Sequence, residues 1–107
     1  MKHSSIELTS QLLENIGRIK LNDATTILGG SSSTTILNDL RIAAGELQQS
    51  LNNGSSYELI MELYEKLAGA VDTAGVTGLI SETELTSYYE LIDSIWAAIE
   101  KEKDAAK

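Results

Sequence analysis

Apolar residues recur at intervals of three and four in four separate stretches of this chain. No stretch alternates with period two for long enough to make a strand, so the pattern commits most of the sequence to amphipathic helices. The absence of proline removes the commonest internal breaker, where ordinary usage in 107 residues would supply about five. Helix starts are marked as well. Ser-x-x-Glu occurs at Ser4–Glu7, Ser55–Glu58 and Ser81–Glu84, each ahead of an apolar-periodic run. In such a capping box the hydroxyl accepts from an orphan N–H and the glutamate reaches back to the cap.

Four helices follow, at about residues 5–21, 34–52, 56–72 and 82–103. Ile6, Leu8, Leu12, Leu13, Ile16 and Ile19 make the face of the first. Leu21 to Leu28 either extend it or form a separate turn, and Gly29-Gly30-Ser31-Ser32-Ser33 is a flexible linker. Ile36, Leu40, Ala43, Ala44, Leu47 and Leu51 make one stripe on the second, with Ile42 on the opposite face. Asn52-Asn53-Gly54 supplies a left-handed residue to end it. Leu59, Ile60, Leu63, Leu67, Ala70 and Val71 make the third stripe, edged by Tyr57 and Tyr64. Gly69 inside that helix costs up to about 1 kcal/mol against Ala, which a close helix approach would explain. The stretch Ala74–Ile80 reads as a connection whose Val76, Leu79 and Ile80 plug the end of the core. Leu85, Tyr88, Ile92, Ile95 and Ile99 line the fourth helix, with Tyr89 and Trp96 at one edge and Leu91, exposed, at the other. The expected fold is all-α, an antiparallel up-down four-helix bundle in a single domain spanning 1–107.

Charge excludes whole classes of partner. Eight basic against sixteen acidic side chains give −8. Residues 1–53 carry four basic and five acidic groups, and residues 54–107 carry four and eleven. Nucleic-acid affinity rests on Lys and Arg displacing counterions, so no nucleic acid is expected as partner. An anionic bilayer is disfavoured for the same reason. No apolar run approaches the roughly 18 residues of a membrane span. Met1–Ser10 has one Lys and no apolar block, unlike a secretory signal, so a cytoplasmic protein is expected. Without cysteine there is neither a disulfide framework nor a thiolate metal site.

Catalytic equipment is sparse. The one histidine, His3, sits at a terminus prone to fray. Glu-x-x-His pairs for a di-iron bundle are missing, and Gly29-Gly30 lacks the strand before it and the Lys after it that a phosphate loop needs. Glu58, Glu62 and Glu65 lie along the outer side of the third helix, with Lys66 four residues after Glu62. Such a face is ordinarily solvated; its sharper reading is a docking surface for a basic peptide. The expectation is therefore a protein that is not an enzyme and needs neither cofactor nor metal. Tyr57, Tyr64, Tyr89 and Trp96 are amphipathic aromatics of the kind that anchor interfaces, unless they only complete the bundle's wall.

One resemblance gives that surface a context. The runs Ile36-Leu37-Asn38-Asp39-Leu40, Glu46-Leu47, Asn53-Gly54-Ser55-Ser56, Leu59-Ile60 through Ala70-Val71, Gly75-Val76, Ser81 and Glu90-Leu91-Ile92-Asp93-Ser94-Ile95 resemble the immunity proteins of pediocin-like (class IIa) bacteriocins. The similarity spans about residues 34–99. It implies a small cytosolic four-helix bundle that protects a producing cell from its own peptide toxin by engaging the toxin-bound membrane receptor from inside. It also implies partner specificity in the C-terminal half, which here holds Tyr88, Tyr89, Trp96, Lys101 and Lys103. That family is often basic, so a charge of −8 favours recognition of a protein over membrane contact. A second resemblance, through Glu46-Leu47-Gln48-Gln49-Ser50-Leu51-Asn52, Leu63-Tyr64 and Trp96, is to the flagellin export chaperones. It implies the holding of a helical segment of a secreted protein, although the N-terminal tyrosine arm of that family is absent here.

Overall fold

Where each helix starts and stops is decided within a few residues of its ends. A computed structural model describes residues 4–19 and 33–105, and these hold four helices and no strand. Helix α1 runs Ser5–Gly17, α2 Ser33–Asn52, α3 Tyr57–Val76 and α4 Glu82–Ala105. The segment Leu21–Leu28, the linker residues 29–32 and His3 lie outside the described residues. Ser33, expected in the linker, opens α2.

Two of the three capping boxes read from the sequence mark true starts. Ser4 Oγ accepts from Glu7 N–H at 3.1 Å. The Ser81 box is complete: Ser81 Oγ accepts from Glu84 N–H at 3.1 Å, and Ser81 N–H donates to Glu84 Oε1 at 3.0 Å. Those bonds hold the Glu84 carboxyl below the usual carboxylate range, the Ser81 backbone N–H being the larger cause. The middle box is displaced by one residue: Ser56, not Ser55, caps α3, accepting from Leu59 N–H at 3.2 Å. Ser55 is already committed to closing α2. Its N–H donates to Ser50 O at 3.1 Å and that of Gly54 to Leu51 O at 3.3 Å, a Schellman closure with Gly54 at φ 67°. The same closure ends α3, with Gly78 at φ 79°, Leu79 N–H on Ala74 O and Gly78 N–H on Gly75 O.

Two helix ends depart from the sequence reading. Helix α1 stops at Gly17 rather than near residue 21, closed by Arg18 N–H on Asn15 O and Ile19 N–H on Ile16 O. Helix α3 continues four residues beyond 72, through Ala74, Gly75 and Val76. Within that extension Gly75 lies against the Leu85 side chain of α4: a Cβ there would stand 2.6 Å from Leu85 Cδ2. Gly69, where the close approach was expected, has nothing within 4 Å of a built Cβ.

Each helix packs against two others, α1 on α2 and α4, and α3 on α2 and α4. The core is drawn from all four. It takes Leu8, Leu12 and Ile16 from α1, Leu40, Ala44 and Leu47 from α2, Leu67, Val71 and Ala74 from α3, and Tyr88, Ile92, Ile95 and Ile99 from α4. Ile36 and Leu37 are buried too, and Ile80 plugs one end with Leu79 half-buried beside it. Val76, expected in that plug, is 87% exposed. Leu91, expected to be exposed, packs on the core, and Ile42 is exposed as its helical phase requires. The start of α1 and the last turn of α4 are joined by one carboxylate. Glu102 of α4 accepts from the Ser5 backbone N–H at 2.7 Å and the Ser5 hydroxyl at 2.6 Å, satisfying an orphan donor of the first turn of α1.

Burial is uneven along α3. Its second half reaches the core, but Tyr57, Ile60, Leu63 and Tyr64 of its first half are only half-buried, and Leu59 is 42% exposed. The seam between that half and α4 therefore keeps its aromatic side chains at the surface.

Candidate functional site

The α3–α4 seam is built from residues set whole turns apart. Tyr57 and Tyr64 are seven residues apart on α3, and Tyr89, Trp96 and Lys103 recur every seven on α4. Seven residues make nearly two turns, so each set forms a row along one side of its helix. The two rows meet. Tyr57 donates to Glu100 Oε2 at 2.6 Å, Tyr64 to the carbonyl of Ile92 at 3.3 Å, and Tyr89 to Asp72 Oδ1. The rings of Tyr64 and Trp96 lie 5.2 Å apart and tilted by 50°, within the favoured range for aromatic pairs. Lys103 Nζ stands 4.1 Å from the centroid of the Tyr57 ring, a cation–π contact.

These contacts set the protonation of the row. The hydrogen bond to Glu100 raises the Tyr57 phenol above its ordinary value, with burial and the charges of Glu100 and Asp104 adding to it. The bond to Asp72 does the same for Tyr89, and burial followed by the Asp93 charge does so for Tyr64. All three are neutral hydrogen-bond donors at physiological pH. The seam presents aromatic faces, phenol oxygens that can still accept a hydrogen bond, and the Lys103 ammonium.

The five residues singled out from the sequence do not share one surface. Tyr89 and Trp96 are each 39% exposed and, with Lys103, form the α4 row. Lys101 is exposed but lies five residues from Trp96, about 140° around the helix, and so belongs to a different face. Tyr88 departs most: it is 5% exposed and part of the core. Burial, with the Glu84 charge, pushes its phenol up to about 12. Its place in the core-lining stripe of α4 is the physical reason, and it presents no ring to a partner. Conversely, Asp72 and Glu100 belong to the seam and were not legible as such. Nothing in the neighbourhood of an exposed carboxylate says which tyrosine of another helix it will meet.

A second surface feature lies on the other flank of α3. A groove of about 350 Å³ runs between α2 and α3, floored by Ile36, Ala43 and Ala70 and edged by Ile42, Asp39 and Lys66. Lys66 is paired with Glu46 at 2.8 Å. Among the described residues no group of His, Asp and Glu side chains is arranged to hold a metal ion, and no helix is long and apolar enough to cross a membrane. No protein-family model, curated protein or solved structure matches this chain.

Proposed function

We propose that this chain is a partner-binding protein of the pediocin-like immunity kind. In this reading it works in the cytoplasm and protects a bacteriocin-producing cell by recognising the toxin-bound membrane receptor through the α3–α4 seam. The observation that carries the reading is the α4 row. Trp96 and Tyr89 stand half-exposed yet are held in place, by Tyr64 and by Asp72. Aromatic anchors already fixed before contact lose little side-chain freedom on binding, which is how a small patch comes to dominate an interface. Lys103, set over Tyr57, adds a cation at the end of the row.

The architecture belonging to this reading is an antiparallel up-down bundle. It is supported by the numbering of the contacts, which pair early with late residues: Ser5 with Glu102, Ser10 with Gln48, Glu46 with Lys66, Tyr57 with Glu100, and Asp72 with Tyr89. An up-down bundle puts α3 and α4 side by side over their whole length, which is what a row of anchors needs.

The test is protection. Expressed in a strain sensitive to pediocin-like peptides, the chain is expected to confer resistance to one or two of a broad panel. The double variant Tyr89→Ala, Trp96→Ala is expected to lose that resistance while keeping its helical circular dichroism. Full resistance in the double variant would remove the seam as the contact. Resistance to none of the panel, with binding to a flagellin C-terminal segment, would favour the export-chaperone reading instead.

A further inference from the structure

We propose a second, separate docking surface: the groove between α2 and α3 receives one cationic amphipathic helix from a partner protein. Three observations carry this. The first is shape and polarity. The groove lies between two helices, its floor is apolar, and Ile42 at its edge is 55% exposed, more than any buried-face role explains. A furrow of this kind accepts an apolar helix face at i, i+3, i+4 spacing.

The second is Gly69. It sits in mid-α3 with ordinary helical φ, and a Cβ there would touch nothing within 4 Å. Neither a turn nor a close approach among the described residues asks for glycine, although it weakens the helix against alanine. Its missing side chain instead keeps the groove open at the point where a partner would sit.

The third is charge. Lys66, the one cation among the described residues that form the groove, has its charge offset by Glu46. Asp39 lines the groove, and Glu62 and Glu65 stand one turn before Lys66 and Gly69 on the same exposed side of α3. No ion pair engages Glu62 or Glu65 among the described residues, and Asp39 acts on Lys66 only as a nearby charge that adds to the effect of Glu46. An apolar floor with an anionic border matches a helix with leucine-like residues on one face and Lys or Arg flanking them.

The groove lies on the other flank of α3 from the α3–α4 seam, so binding to the two can be measured separately. The probe is a synthetic peptide of about 15 residues, near the shortest length that holds a helix, with Leu at i, i+3, i+4, i+7 and Lys elsewhere. The control has the same composition scrambled so that no apolar face forms. By fluorescence anisotropy the amphipathic peptide is expected to bind the full chain in the micromolar range, about tenfold or more tighter than its scramble. Ile42→Asp and Gly69→Leu, both at exposed positions, are each expected to weaken it about tenfold. Trp96→Ala is expected to leave it unchanged, whatever its effect on protection. Equal binding of the scramble would reduce the effect to bulk charge and overturn the proposal. So would a Trp96→Ala loss as large as the groove variants' losses, or no loss in either groove variant.

Discussion

Tyr88 and Tyr89 are adjacent in the chain and differ in almost every physical respect. The first is in the core with its phenol pushed up to about 12 by burial; the second is at the surface with its phenol raised by a hydrogen bond to Asp72. The difference follows from a rotation of about 100° between neighbours on a helix. It has a consequence for pH dependence. In the unfolded chain phenols release their protons near pH 10, and in the folded chain all four tyrosines hold them to higher pH. Below about pH 10 both states are protonated and the contribution is fully present. As pH rises further the unfolded state sheds protons that the folded state retains, so stability falls through the window up to the folded value of about 12. Urea midpoints measured from about pH 8 to about pH 11 are expected to hold level and then decline. The decline is expected to be shallower in Tyr88→Phe, which removes the largest of the four shifts. An equal slope in wild type and variant would show that Tyr88 is not the group responsible.

At the scale of the element, the glycines separate by job. Gly54 and Gly78 close α2 and α3 in the left-handed region, which side chains other than glycine enter at a cost of about 1–2 kcal/mol. Gly69 lies in helical backbone with open space around it. Alanine substitution is therefore expected to act in opposite directions inside α3 and just beyond its end. Gly78→Ala should destabilise the protein by about 1 kcal/mol, and Gly69→Ala should stabilise it by up to about that much. Denaturant unfolding followed by far-ultraviolet circular dichroism measures both. A loss of stability in Gly69→Ala would mean that the position carries a structural role in the free chain rather than keeping the groove open. The displaced cap at Ser56 belongs to this scale too. Ser55 and Ser56 are equally good caps by residue type, and the choice falls to Ser56 because the Schellman closure of α2 takes the backbone N–H of Ser55.

At the scale of the molecule, Leu59 and Leu67 make the same point about packing. They are the same residue two turns apart on α3, read from the sequence as one stripe. Leu67 is fully buried and Leu59 is 42% exposed. Eight residues on an α-helix rotate by about 80° beyond two full turns, enough to carry one leucine past the edge of the core. Leu67→Ala is expected to cost about 2–5 kcal/mol and Leu59→Ala less than about 1 kcal/mol, measured as the shift in unfolding free energy. Similar costs at both sites would mean that Leu59 is covered in solution. The joining of Ser5 to Glu102 acts at this scale as well, since it ties the first turn of α1 to the last turn of α4.

The number of helices, most of their starts and the identity of the central core residues were legible in the sequence. Capping boxes, glycine closures and apolar periodicity act over one or two turns, and everything they need lies within that span. The half-exposed aromatics Tyr89 and Trp96 were legible as edge residues for the same reason. What the tertiary structure decided was which edges stay open. Helix depth, rotation and the register of α3 against α4 left Leu59 and Val76 at the surface, and paired Tyr57 with Glu100 and Tyr89 with Asp72. Those outcomes join residues 17 and 43 positions apart. They depend on how two helices approach, a balance of packing over many side chains that no single turn of sequence contains.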